Sequence, residues 1–267
     1  MANEYIGVFD SGLGGLTAVK EIMKEMPGQP IIYFGDTGRV PYGTRGRETI
    51  IKYVKGDIRF LKSFEVKAIV VACGTASSVA LPEIKGEEDI PIIGVIDATA
   101  KKAISVTKNK KIGIIGTPGT IKSGAYEKYI KEAAADVQTI SNACPLFVPL
   151  VENGYFENEA TKLIIKDYLT EIKEFGVDTL ILGCTHYPLL KKAIKEFIGE
   201  NVELVEPGVE VAAYVKSLVK STEYSGDENE KYQFYVSDNI EGFEELGGIF
   251  LQQEIVGQVK KIDIEKY

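Results

Sequence analysis

Two pairs of similar segments recur in the same order along the chain, and this repeat constrains the fold more than any other feature. IGVFDSGLGG from Ile6 is similar to IGIIGTPGT from Ile112, and AIVVACGTAS from Ala68 is similar to TLILGCTHYP from Thr179. Each segment is a short apolar run that ends in small or polar residues, which is typical of a buried strand entering a turn. The near-equal spacing of the two pairs predicts two related halves.

Short apolar runs alternate with longer segments of helical periodicity, a pattern typical of parallel sheets covered by helices. The sequence therefore predicts an α/β protein with two similar Rossmann-like, doubly wound domains related by pseudo-twofold symmetry. Predicted strands are 5–9, 30–34, 68–72, 91–95, 111–115, 146–149, 179–182, 202–205 and 233–237. Predicted helices include 16–26, 47–63, 124–134, 159–175, 189–198 and 209–219.

The spacing of the repeat also predicts the domain boundaries. The first domain is expected to contain residues 1–96, and the second residues 97–207. The remaining segment, 208–267, carries its own helix and strand patterns, which would suit completion of the first domain. The active site is expected in the cleft between the two domains.

Charge and composition exclude several classes of partner. The formal net charge of −8 disfavours a nucleic-acid partner, because phosphate binding needs a basic surface. No apolar run approaches the roughly 18 residues of a membrane-spanning helix, so we expect a cytoplasmic protein with no membrane partner. Three cysteines and one histidine, His186, argue against a disulfide framework and against the usual kind of metal site.

Ligands of doubly wound sheets bind beyond the C-terminal ends of the strands. If the two halves face each other, Cys73 and Cys184 would lie on opposite walls of one cleft. One thiolate could then remove a Cα proton while the opposite thiol returns a proton, which inverts the centre. A single Cys at a strand end is more often a small buried hydrophobe, but the matched pair favours chemistry. Cys144 has no counterpart in the repeat and is assigned to packing.

Each thiol needs polar neighbours that tune or relay its proton. Asp10 at the end of the first strand, His186 near Cys184, and Glu152 on the second wall are the candidates. Backbone amides of the glycine-rich turn after Asp10 could receive a carboxylate, although its glycine spacing is not that of a dinucleotide-binding motif. Hydroxyl groups that could add donors are those of Ser11, Thr75, Thr117 and Thr185.

Five segments together resemble the glutamate racemase family. They are FDSGLGGL at 9–16, DTGRVPYG at 36–43, VACGTAS at 71–77, CPLFVPLVENG at 144–154 and GCTHYPLL at 183–190. The resemblance covers essentially the whole chain. It implies interconversion of L- and D-glutamate without pyridoxal phosphate, metal or nucleotide, a supply of D-glutamate for peptidoglycan, and a homodimer.

The same resemblance assigns roles to individual positions. Cys73 and Cys184 match the two catalytic cysteines, Asp10 and His186 the assisting acid-base residues, and Glu152 an acid near the second site. Positions that match substrate contacts are Asp10, Ser11, Tyr42, Gly43, Thr75, Thr185 and His186. Gly74 stands where the family normally has Asn, so one polar contact with the substrate is absent. From the sequence, Gly74→Asn is therefore expected to improve kcat/KM for glutamate.

Three other functions fit parts of the pattern. One is a non-catalytic binding protein on the same scaffold, which the presence of Gly74 favours slightly and which would bind its ligand without turnover. Racemases of related amino acids such as aspartate keep the mechanism and change the substrate. A hydrolase with Cys184 as nucleophile and His186 as base would form an acyl intermediate and have no use for Cys73. The segments CTHYP and VPYG favour glutamate.

Overall fold

The computed structural model describes residues 4–84, 86–255 and 257–267. The strands are β1 Tyr5–Asp10, β2 Ile31–Gly35, β3 Val66–Val71, β4 Ile92–Gly94, β5 Lys111–Gly116, β6 Gln138–Ala143, β7 Thr179–Leu182, β8 Glu203–Val205, β9 Tyr232–Val236 and β10 Val259–Lys261. The helices are α1 Leu16–Glu25, α2 Arg47–Leu61, α3 Gly74–Val79, α4 Leu81–Ile84, α5 Val95–Val106, α6 Pro118–Ser123, α7 Ala125–Ala133, α8 Phe147–Glu152, α9 Glu159–Phe175, α10 Lys191–Ile198, α11 Pro207–Leu218 and α12 Ile240–Leu251.

The strands form two parallel sheets whose orders correspond. The first sheet has the order β10-β9-β2-β1-β3-β4 and the second has the order β6-β5-β7-β8. Within each half, the second strand in sequence lies at one side of the first, and the third and fourth lie at the other side. The predicted α/β class and the repetition of its halves are therefore confirmed, and Cys73 and Cys184 follow the equivalent strands β3 and β7.

The central strands are buried on both faces, which explains their continuous apolar sequences. All residues of β2 and β7 are buried, as are five of the six in β1 and in β5. The chain passes from the first sheet to the second through α5 and returns through α11, and α11 packs against both α1 and α5. Strands β9 and β10 extend the first sheet beyond β2.

The predicted strand at 146–149 is wrong. This segment lies in helix α8, where Phe147 and Val151 are buried one helical turn apart. The strand that follows β5 in this half is instead β6, whose sequence QTISNA is only partly buried because the strand lies at the edge of the sheet. Edge strands bury less surface and carry more polar residues, so β6 gave no apolar signal.

The strand predicted at 91–95 is β4, which ends at Gly94, one residue earlier than predicted, because Val95 already begins α5. Within the part of the chain described, no helix is both long enough and apolar enough to cross a membrane.

Candidate active site

The C-terminal ends of both sheets border one cavity of about 320 Å³. Eleven of the site residues predicted from the sequence line it: Ser11, Tyr42, Gly43, Cys73, Gly74, Thr75, Thr117, Glu152, Cys184, Thr185 and His186. Asp10 lies directly behind this lining, where its carboxylate is 1% exposed and accepts a hydrogen bond from Thr185 Oγ1 at 3.3 Å. The structure therefore brings every predicted site residue to one place.

Cys73 forms the first wall at the N-terminus of α3. The backbone amide of Ala76 donates to its Sγ at 3.4 Å, and the thiol lies 3.6 Å from Ser11 Oγ. Burial and, to a smaller extent, the nearby charge of Asp10 raise the pKa of the Cys73 thiol to about 11, although the hydrogen bonds from Ala76 and Ser11 act to lower it. Cys73 is thus a neutral thiol at physiological pH.

Cys184 forms the second wall just after β7. Its Sγ lies 4.0 Å from Nδ1 of His186. Burial raises the pKa of the Cys184 thiol, as do the negative charges of Asp10, Cys73 and Glu152, whereas the backbone amide of His186 lowers it. Both thiols are therefore protonated unless a nearby base accepts the proton or a bound cation lowers the thiol pKa.

His186 connects the second thiol to a carboxylate. Its Nε2 lies 3.0 Å from Glu152 Oε1, and its ring meets the ring of Phe250 edge-on at 5.2 Å. If Nε2 carries the proton that is shared with Glu152, then Nδ1 presents a lone pair toward Cys184. This tautomer would let the imidazole accept the thiol proton.

Asp10 lies behind the cavity lining and is hydrogen-bonded to residues of both walls. Its carboxylate accepts from the backbone amide of Gly12 at 3.0 Å and from Thr185 of the other half. Burial raises the pKa of Asp10, and the charge of His186 and these hydrogen bonds partly offset that rise. An acid with a raised pKa exchanges protons with a thiol at lower cost than an ordinary carboxyl.

Tyr42 lines the cavity, but its hydroxyl is directed elsewhere. The hydroxyl bonds to Asp36 Oδ2 at 2.5 Å and to Asp57 Oδ2 at 2.9 Å, and Arg39 links the same two carboxylates. This buried network holds the segment 40–43 that forms one side of the cavity. The Tyr42 hydroxyl is therefore engaged in positioning the wall.

Sequence reasoning missed three residues of the site. Asp57 is fully buried on α2, and its helical spacing from Ile50 and Val54 on the apolar face was a signal that could have revealed it. Thr120 hydrogen-bonds to Thr75 across the cleft and to Thr117 on its own wall, while Tyr33 donates to the Gly12 carbonyl at 2.8 Å. Neither residue carried a sequence signal, because the partner of Thr120 across the cleft is distant in sequence and the partner of Tyr33 is a backbone atom.

Cys144 is fully buried and also borders the cavity. Its thiol lies 3.8 Å from the Asn142 carbonyl, and burial alone raises its pKa. No acidic or basic side chain of the described residues is hydrogen-bonded to its thiol, which is consistent with the packing role predicted for Cys144. Over the described ranges of the chain, no group of three His, Cys, Asp or Glu side chains could hold a metal ion.

Comparisons with known proteins agree with this geometry. The model of the Asp/Glu/Hydantoin racemase family matches residues 11–218. Glutamate racemase from Geobacter metallireducens is 46% identical over 262 residues, which cover 97% of both chains. Glutamate racemase from Aquifex aeolicus is 47% identical over 94% of this chain and 95% of its own.

Solved structures give the same result. Glutamate racemase from Francisella tularensis in complex with D-glutamate superposes with a TM-score of 0.91 at 38% identity, covering 99% of both chains. Glutamate racemase isoform RacE1 from Bacillus anthracis gives a TM-score of 0.90 at 38% identity over 97% of both chains. The aspartate racemase from Picrophilus torridus, at 20% identity and a TM-score of 0.61, shares the fold. The chain therefore belongs to the Asp/Glu/hydantoin racemase family and, within it, to the glutamate racemases.

Proposed function

We propose that this protein interconverts L- and D-glutamate by a two-base reaction in which Cys73 and Cys184 act on opposite faces of Cα. The observation that carries the proposal is the pair of thiols at equivalent ends of two repeated sheets, both bordering one cavity. One sulfur, as thiolate, takes the Cα proton and leaves a carbanion. The other sulfur gives its proton to the opposite face, so no proton is gained or lost overall.

Asp10 and His186 are proposed to set the protonation states of the two thiols. Asp10 would exchange a proton with Cys73 on the first wall, because its charge already acts on that thiol. His186 would take the Cys184 proton through Nδ1, with Glu152 accepting from Nε2 and stabilising the imidazolium. This assignment follows from the geometry on each wall.

Glutamate must be bound without a basic side chain. None of the described residues that line the cavity is a lysine or an arginine. The substrate carboxylates are therefore proposed to accept hydrogen bonds from backbone amides of the turn 11–15 and from hydroxyls such as those of Ser11, Thr75 and Thr185. These donors suit a small anion, because they hold it without a fixed countercharge.

The remaining features of the proposal rest on the family. We propose that the chain divides into residues 1–96 with 208–267, and residues 97–207, which the pairing of β9 and β10 in the first sheet supports. We propose also a cytoplasmic homodimer that needs no cofactor and supplies D-glutamate for peptidoglycan. Sedimentation of the purified protein tests the dimer directly.

Incubation of L-glutamate with the protein in D₂O tests the reaction. The D-glutamate formed should carry solvent deuterium at Cα from the first turnovers, while the remaining L-glutamate stays protonated. Cys73→Ala and Cys184→Ala should each stop racemisation, and L-aspartate serves as the comparison substrate. An unchanged rate in Cys73→Ala would contradict the two-base reaction and favour a single nucleophile at Cys184.

A further inference from the structure

The imidazole of His186 is enclosed by residues from both halves of the molecule. His186 follows β7 of the second sheet, and its Nε2 lies 3.0 Å from Glu152 Oε1 in α8 of the same half. Two further neighbours of the ring belong to the first half. Gly14 lies in the turn between β1 and α1, and Phe250 lies in α12, which joins β9 to β10. The base proposed for Cys184 is thus held partly by the opposite half.

The turn at Gly14 lies against the edge of the ring that faces Cys184. A Cβ atom added at Gly14 would lie 2.6 Å from Nδ1 and 2.7 Å from Cε1 of His186, distances that real Cβ atoms essentially never show. Only a residue without a side chain therefore lets the first half approach the imidazole so closely. The backbone of Gly14 blocks movement of the ring in that direction.

Phe250 covers the ring of His186 from α12. The two ring centroids lie 5.2 Å apart with 79° between the ring planes, which is the edge-to-face arrangement that aromatic pairs prefer. Phe250 is 2% exposed and His186 is 6% exposed, so this contact helps to exclude water from the imidazole. Phe250 is not among the residues that line the cavity, so it can act on the reaction only through a neighbour such as His186.

Helix α12 is attached to the first half along the face that carries Phe250. Phe243 precedes Phe250 by seven residues and therefore lies on the same face of the helix. Its ring centroid lies 5.9 Å from that of Tyr33 in β2. A Cβ atom added at Gly247 would lie 3.1 Å from Leu16 Cδ1, which shows that α12 packs closely on α1. The position of Phe250 therefore follows that of the first sheet.

We propose that Phe250 positions the imidazole of His186, together with the backbone of Gly14, so that Nδ1 stays directed at Cys184. This inference rests on the proposed racemase function. Nδ1 lies 4.0 Å from the Cys184 sulfur, and a ring that turned away could not accept the thiol proton. Phe250 is thus a positioning residue. The C-terminal segment that completes the first sheet thereby takes part in the reaction of the second wall.

Phe250→Leu tests this role, with Phe60→Leu as the matched control. Leucine keeps much of the buried apolar volume but lacks the aromatic ring. Phe60 is also 2% exposed and meets the rings of Tyr235 and Tyr267 edge-on at 5.3 Å and 5.2 Å. It belongs to a different apolar cluster from Phe250. Both variants should therefore lose a similar amount of thermal stability, and only one of them should change His186.

Steady-state kinetics should separate kcat from KM. For Phe250→Leu we expect kcat with L- and with D-glutamate to fall about tenfold, which corresponds to losing roughly 1.4 kcal/mol of the contact that favours the productive ring orientation. KM should change little, because Phe250 does not border the cavity. Phe60→Leu should leave both kcat and KM unchanged.

The imidazole also reports its own orientation, because His186 is the only histidine in the chain. The two ring nitrogens of isotope-labelled, tag-free protein can be observed by NMR at a pH where the ring is neutral. The wild type and Phe60→Leu should give two widely separated signals, from a protonated Nε2 and an unprotonated Nδ1. In Phe250→Leu the two signals should broaden or move together, because the ring is no longer held in one orientation.

Unchanged kcat or unchanged ring signals in Phe250→Leu would overturn the proposal, since an effect on kcat must pass through His186. Ring signals that are already averaged in the wild type would overturn it as well. If Phe250→Leu does not fold, Phe250→Met carries the same test, because its flexible side chain refills the space without a ring. A wild type that fails to racemise glutamate would instead remove the proposed function, while the ring signals would still show whether Phe250 orients His186.

Discussion

Replacing Asp57 by Asn is expected to stabilise the protein increasingly as pH rises. Asp57 is fully buried, and its carboxyl faces that of Asp36 across Tyr42 and Arg39. Burial raises the pKa of Asp57 well above its ordinary value of 3.8, and the neighbouring Asp36 raises it further. Asp57 is then held as a neutral acid that hydrogen-bonds to Tyr42 and accepts a hydrogen bond from Arg39 at 2.7 Å, while Asp36 forms an ion pair with Arg39.

The sign and size of the pH effect follow from proton linkage. Above about pH 4 the unfolded chain releases the Asp57 proton, whereas the folded protein keeps it. The wild type should therefore lose about 1.4 kcal/mol of unfolding free energy per pH unit relative to Asp57→Asn, until the pH reaches the folded-state pKa. Other groups titrate equally in both proteins, so they cancel in the difference.

Urea unfolding between about pH 5 and pH 8 measures this difference. Asp36→Asn is the contrasting variant, because it leaves Asp57 as the buried carboxylate beside the Arg39 guanidinium, 2.7 Å away, while the other acidic partner of Arg39, Glu265, is exposed. Without the charge of Asp36, Asp57 should ionise more readily and pair with Arg39, so the pH-dependent loss should become much smaller in that variant. Stability curves of wild type and Asp57→Asn that stay parallel across the range would refute the neutral Asp57.

Three further predictions concern the cleft. Alkylation of Cys73 in the substrate-free protein should rise about tenfold per unit from about pH 8 to pH 10, because its pKa is raised to about 11; a plateau near pH 9 would contradict this. Glu152→Gln should weaken the hydrogen bond that orients His186 and lower kcat/KM about tenfold. The decrease should be equal for L- and D-glutamate, because the equilibrium constant between the two enantiomers is one. Steady-state kinetics with each enantiomer check this. Tyr33→Phe leaves the buried Gly12 carbonyl without its donor, so melting and denaturation should report a loss of about 1–3 kcal/mol, and KM for glutamate should rise; unaltered values of both would show that another donor replaces the phenol.

Strands of the two sheets were predictable where burial is complete, whereas two of the four edge strands in the described part of the chain, β6 and β10, were missed. Strands β1, β3, β5 and β7 are central, so both faces demand apolar residues and the sequence shows continuous runs. Interpreting a continuous apolar run as a strand gave the wrong prediction at 146–149, because such a run can also form a helix whose buried face repeats every three or four residues. Length alone could not separate the two.

The positions of the two thiols were predictable because duplication gives them equivalent places. The supporting network of Arg39, Tyr42 and Asp57 was not predictable, because α2 carries Asp57 to the other residues only after the chain has folded. Likewise, the close approach of the Gly74 backbone to the Gly183 carbonyl, where an added Cβ would have no room, depends on how two separate sheets meet. Contacts of this kind have no local sequence signal.

The raised thiol pKa values pose a problem that the proposed substrate itself can solve. Cys73, Cys184, Asp10 and Glu152 all gain negative charge on ionisation, and no lysine or arginine among the described residues lines the cavity to balance them. An amino acid brings an ammonium group next to its Cα. Its positive charge, placed between the sulfurs, would lower the pKa of whichever thiol faces the Cα proton. The neutral state of the two thiols is thus compatible with a thiolate base once glutamate is bound.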